Sequence, residues 1–120
     1  MIAFLNFAYV GDNMTTYFIT RHLGALQWAE ANQVNFDVHL EHLLTLDQLK
    51  KGDVVIGTLP INIICQLNDI GVRYLHLSLQ IPHHLRGVEL DANQLKECKA
   101  ELEEFVVKKV ARIICYILHI

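Results

Sequence analysis

Charge is scarce in this 120-residue chain, at 19% of residues against 52% hydrophobic. That balance excludes a disordered segment and suits strands buried on both faces, where little surface remains to carry charge. Ten Lys and Arg against 13 Asp and Glu give a formal net charge of −3. A protein that coats duplex nucleic acid neutralises many phosphates with clustered cations, so that class is excluded. Cysteine is also sparse: Cys65, Cys98 and Cys115 are odd in number and far apart, which gives neither a disulfide framework nor a paired zinc motif. They read as reduced core residues of a cytoplasmic protein. No apolar run reaches membrane-spanning length. Residues 2–10 are too short and lack a charged leader, and residues 110–120 are interrupted by Arg112 and His119, so neither a membrane anchor nor secretion is expected. The apolar end reads as a packed helix or a subunit contact.

What is present is an alternation of strands and helices. Residues 15–20 form a β-rich run centred on Tyr17, Phe18 and Ile19, and Gly24 opens a helical stretch with Ala25, Trp28 and Ala29 on one face. Residues 35–43 alternate Phe36, Val38 and Leu40 with polar neighbours, the period of a strand near a sheet edge. Val54, Val55 and Ile56 have no polar face and read as a central strand. Pro60 suits a first helical turn, Ile63, Ile64, Leu67 and Ile70 supply an apolar stripe, and Gly71 suits the stop, so a helix is predicted over 60–70. Residues 72–79 form the next strand and 80–90 a polar loop, a candidate lid. Asp91 with Gln94 resembles a capping box, and Leu95, Cys98, Leu102 and Phe105 predict a helix continuing toward the C-terminus, with Glu101, Glu103 and Glu104 on its wet face. Such an order implies a single α/β domain over 1–120, Rossmann-like, with a mostly parallel sheet and helices on both faces.

Three of these strands run off their carboxyl ends into segments of glycine, hydroxyl and basic residues, and in a parallel sheet those ends share the edge where ligands bind. The first segment offers Thr20, Arg21, His22 and Gly24, the second Gly57, Thr58, Leu59, Pro60 and Asn62, and the third Ser78 through Arg86. Helix starts after the first two suit an anion. Arg21 and His22 are either an exposed loop pair or a phosphate grip with a proton donor beside it. Thr58 or Leu59 is either a helix cap or a cap that also binds. Ser78 and Arg86 carry a weaker signal, since polar loops after strands are ordinary. His39 and His42, placed on one strand three residues apart, point to opposite faces and do not make a metal site. Dinucleotide glycines, a phosphate-binding P-loop and a nucleophile elbow are all missing.

Three blocks in order carry a resemblance to a known family. They are MTTYFITRHLGA at 14–25 with Trp28 and Ala29, DVVIGTLPIN at 53–62, and RYLHLSL at 73–79 followed by Pro82, Leu85, Arg86 and Gly87. Together they resemble a small type III CRISPR accessory family, the sixteenth of the Csx series, over residues 14–107. Residues 1–13 read as an N-terminal extension and 110–120 as a tail beyond the family's usual end. The resemblance implies a CARF-like fold and a ring nuclease, a homodimer that binds a cyclic oligoadenylate, foremost the four-nucleotide ring. It would cleave the ring without metal or other cofactor by attack of a ribose 2′-hydroxyl on the neighbouring phosphate, which switches off the antiviral response. Matching positions make Arg21 and His22 the catalytic candidates and Thr20, Gly24, Thr58, Leu59, Pro60, Asn62, Ser78 and Arg86 the binding candidates. A module that sequesters the ring uncut, and a nucleotide or phosphometabolite enzyme, are the competing readings.

Overall fold

The computed structural model describes residues 14–114; residues 1–13, expected from the sequence to be an extension, and residues 115–120, with Cys115, lie outside the described residues. Five strands form one sheet in the order β2-β1-β3-β4-β5. β1 (Thr16–Ile19), β2 (Val38–Leu40), β3 (Val54–Gly57) and β4 (Arg73–Ser78) are parallel, and β5 (Glu101–Phe105) runs antiparallel beside β4. β3 is buried throughout and lies at the centre, as its lack of a polar face requires. Helices α1 (Leu23–Ala31) and α3 (Ala92–Glu97) cover one face, where Ala25, Trp28, Ala29 and Leu95 pack on Phe18, Ile56, Leu75 and Leu77. α2 (Ile61–Asp69) covers the other, with Ile64 and Leu67 against Ile19, Val55 and Tyr74. The fold is the expected mostly parallel, Rossmann-like α/β arrangement with helices on both faces.

Local chemistry explains the boundaries. Pro60 caps α2 with its fixed φ of −61°, and Gly71 accepts the left-handed turn (φ +84°) that follows the helix. Asp91 and Gln94 form the capping box of α3. The first residues of β1 are tied by two carboxylates: Thr15 N–H donates to Asp53 Oδ1 at 3.0 Å and Thr16 N–H to Asp37 Oδ2 at 2.8 Å. Asp53 is buried and takes a further bond from Lys50 N–H at 2.9 Å through Oδ2. Asp53 is therefore a clamp between the β3 turn and β1, beyond the turn role its sequence context suggests.

Three expectations change. The helix predicted to continue past Cys98 ends there: Lys99 takes a positive φ of 59°, and the chain turns into β5. The spacing of three and four residues over Leu95, Cys98 and Leu102 fits a helix; what decides against it is pairing with β4, in which Leu102 faces Leu77 and Glu104 faces Leu75. Glu101, Glu103 and Glu104 thus belong to an edge strand, where charge blunts further pairing, and Glu104 forms a bidentate ion pair with Arg73 at 2.7 and 2.8 Å. That guanidinium holds the Glu104 carboxyl below its usual range. The second strand is shorter than 35–43, because Asp37 is spent bonding Thr16 through both its carboxylate and its N–H. His42 consequently lies in a loop, outside the strand that holds His39. Finally, residues 110–114 form no helix.

Asp53→Ala leaves the Thr15 and Lys50 amides, both partly buried in these bonds, without their acceptor. Hydrogen bonds to a charged acceptor are worth about 1.5–3 kcal/mol each, so a stability loss of about 3 kcal/mol is expected in urea unfolding, with Asp53→Asn losing less.

Candidate functional site at the carboxyl edge of the sheet

Two cavities open side by side at the carboxyl edge. The larger, about 540 Å³, is bordered by Thr20, Arg21 and His22 from the β1–α1 connection, residues 41–44 after β2, and Thr58, Leu59, Pro60 and Ile63 at the start of α2. The smaller, about 280 Å³, is apolar and lies under the 80–90 loop, between Phe18, Ala25, Leu77, Leu79 and Leu95 below and Ile81, Val88 and Leu90 above. Thr20, His22 and Thr58 border both.

Six of the ten sequence candidates, Thr20, Arg21, His22, Thr58, Leu59 and Pro60, therefore meet at one cavity. The remaining four border neither. Asn62 is exposed on the first turn of α2, and Arg86 is exposed just after the short 3₁₀ turn His83–Leu85. Ser78 ends β4 between Leu77 and Leu79, both of which face the smaller cavity, so strand alternation turns Ser78 to the opposite face. Gly24 is buried in α1, where an added Cβ would sit 1.9 Å from the Leu90 carbonyl oxygen. Its lack of a side chain lets the 80–90 loop settle on α1.

Both helix starts meet the larger cavity, and neither first turn carries an acidic side chain. Their positive ends are thus not offset from within the helix, the arrangement that attracts an anion. The caps are His22 and Pro60, without side-chain cap bonds, so neither Thr58 nor Leu59 is the α2 cap. Arg21 is exposed, with Glu41 and His42 across the cavity. The first connection is pinned from behind. The Thr20 carbonyl accepts from His39 Nε2 at 2.7 Å, its N–H donates to the Leu40 carbonyl at 2.9 Å, and its Oγ1 accepts from His22 N–H at 3.1 Å. His39 is therefore a scaffold group bonded through Nε2. Among the described residues no group of three or more His, Cys, Asp or Glu is arranged to hold a metal ion, and no helix is long and apolar enough to cross a membrane.

The second connection is held by Tyr74. Its hydroxyl donates to the Gly57 carbonyl at 2.9 Å, accepts from Leu59 N–H at 2.9 Å and meets His76 Nδ1 at 2.8 Å. A phenol has one hydrogen, spent on Gly57, so the His76 contact requires Nδ1–H as donor. Burial pushes the Tyr74 phenol up to about 12. The sequence read Tyr74 only as strand filling; nothing local shows a hydroxyl reaching a loop 15 residues away. Tyr74→Phe should cost about 2 kcal/mol in chemical unfolding, since a carbonyl and an amide lose their buried partner. The phenol's folded value lies above its unfolded value of 10. Its stabilising share is therefore complete below pH 10 and is lost as pH climbs toward about 12. Unfolding titrations of Tyr74→Phe should lack that share of the alkaline decline, while the share from Tyr17, whose phenol is also raised by burial and by Asp53 and Asp37, remains.

Comparison with known proteins adds an identity at the level of family. No curated protein and no solved structure matches the chain. The family described as "Putative CRISPR-associated protein (Cas_VVA1548)" matches residues 17–108, a span that runs from within β1 past the end of β5 and takes in both cavities and all of the sheet but Thr16. With far more than half of its length matched, the chain belongs to this CRISPR-associated family.

Proposed function

We propose that this CRISPR-associated protein is a ring nuclease that binds a cyclic oligoadenylate, the four-nucleotide ring foremost, and cleaves it without metal to end type III signalling. The observation that carries the reading is the larger cavity, where Arg21 and His22 stand beside two helix starts free of acidic first-turn residues. That is a setting for a phosphodiester. Membership of a CRISPR-associated family supports the same reading. Thr20, Thr58, Leu59 and Pro60 serve as binding residues, and Gly24, Asn62, Ser78 and Arg86 are left out of the site.

Cleavage needs no covalent enzyme intermediate. A ribose 2′-oxygen forms a bond to its own 3′-phosphorus while the bond from phosphorus to the next 5′-oxygen breaks, leaving a 2′,3′-cyclic phosphate. The 2′-hydroxyl proton leaves to solvent, and His22 Nε2–H protonates the departing 5′-oxygen and is recharged from water. Arg21 stabilises the negative charge that builds on the equatorial phosphate oxygens. Holding the linkage in line supplies much of the rate. Leu44 on the cavity rim is largely exposed, as are Leu23 and Ile61, which follow His22 and Pro60 in the chain, and a second copy would cover such apolar side chains. A two-fold dimer would present one Arg21 and His22 pair to each of two opposite phosphates of a symmetric ring.

Incubation with cyclic tri-, tetra- and hexa-adenylate, with and without a chelator, followed by chromatography, tests the reading. Linear products from the tetra-adenylate, unaffected by chelator, are expected; intact ring bound at stoichiometric protein would instead indicate sequestration. A charge-assisted contact is worth about 1.5–3 kcal/mol, so Arg21→Ala should slow single-turnover cleavage by about tenfold or more. An unchanged rate in that variant would remove Arg21 from the mechanism.

A further inference from the structure

The mechanism above uses one ring nitrogen of His22 and leaves the other unexplained. That nitrogen, Nδ1, meets both carboxylate oxygens of Glu89, at 2.9 Å from Oε1 and 2.8 Å from Oε2, across 67 residues of sequence. A carboxylate without a proton only accepts, so Nδ1 carries hydrogen in this contact. His22 is also fixed through its backbone: its N–H donates to Thr20 Oγ1, and as the α1 cap it has an extended conformation with its ring free of any cap bond. Both faces of the residue are thus committed, and Nε2 is the nitrogen that remains for chemistry.

The contact adds little to stability. The two side chains are 53% and 65% exposed, and ion pairs so open to water are weak. What it does confer is orientation, because free imidazole otherwise favours the Nε2–H form and rotates between rotamers. Glu89 is moreover carried by the loop whose Ile81, Val88 and Leu90 roof the smaller cavity. That loop comes close to α1 only because Gly24 leaves room for the Leu90 carbonyl. Seating of the loop and alignment of His22 are therefore one event.

We propose that Glu89 is the positioning residue of this site: from the 80–90 loop it fixes His22 in the Nδ1–H form and leaves Nε2 for the phosphodiester. The role within catalysis rests on the ring-nuclease reading, whereas the state of the His22 ring does not. A carboxylate partner on a reacting histidine sets which nitrogen works without itself touching substrate. In the acid step both ring nitrogens carry hydrogen, Nδ1–H held by Glu89 and Nε2–H turned to the leaving oxygen.

Long-range ¹H–¹⁵N spectra of the ligand-free protein, recorded where the ring is neutral, read the tautomer directly. Wild type should show His22 in the Nδ1–H form. Glu89→Ala should shift it to Nε2–H with an unchanged thermal midpoint, and Glu89→Gln, which keeps an acceptor oxygen, should retain Nδ1–H. With cyclic tetra-adenylate, Glu89→Ala should lower kcat by about tenfold or more with KM little changed, and Glu89→Gln should recover most of it. An Nε2–H ring in wild type, or wild-type kcat in Glu89→Ala, overturns the assignment. If wild type cleaves no ring, the ring-nuclease reading and the catalytic part of Glu89's role fall together, and the spectra still decide whether Glu89 sets the ring.

Discussion

Parallel pairing of β1, β3 and β4 is the constraint on which the site depends. Strands that run the same way can be joined only by crossovers that return the chain to the starting edge, so every carboxyl end arrives at the same side of the sheet. The pairing is fixed by burial: Phe18 stands beside Ile56 and Ile56 beside Leu75, all three in the core under α1 and α3. A slip of one residue would turn these side chains toward the opposite layer. The same register explains why Ser78, at the end of the third strand of this edge, does not reach the larger cavity. Gly57 ends β3 opposite His76, while β4 continues through Leu77 and Ser78. The extra residues carry that end past the larger cavity and devote Leu77 to the smaller one.

The site is polar in front and held from behind by groups that never face it. Tyr74 fixes Gly57 and Leu59, His39 fixes the Thr20 carbonyl, and Asp53 anchors the start of β1. Each satisfies a backbone group that a short connection would otherwise leave exposed or unpaired. Such a scaffold fixes loop positions before a ligand arrives, which lowers the ordering cost of binding. The division into a mixed cavity that carries Arg21 and an apolar one, with His22 bordering both, separates gripping charge from excluding water.

Much of this was legible in the sequence because the relevant signals are local. Val54, Val55 and Ile56 announce a central strand, Pro60 and Gly71 bracket α2, and Asp91 with Gln94 opens α3. Thr20 to His22 and Thr58 to Pro60 follow strand ends directly, so the topology alone brings them together. What escaped depends on distance or on competition between states. β5 has a spacing that fits a helix, and the residue that ends α3 is Lys99, which gives no glycine signal. Asp37 shortens β2 by bonding a strand 21 residues earlier. Glu89 and Tyr74 act across 67 and 15 residues, where no periodicity reaches. Gly24 was legible as a special position, but its reason is the Leu90 carbonyl, from a loop far along the chain.

Amide chemical-shift mapping with cyclic tetra-adenylate tests most directly whether the carboxyl edge is where a ring binds. Perturbations concentrated at Thr20–His22, Gly57–Leu59 and Glu89 are expected. Perturbations centred on the opposite edge, around Asp53 and Gly71, or none at saturating ring, would contradict the proposed site.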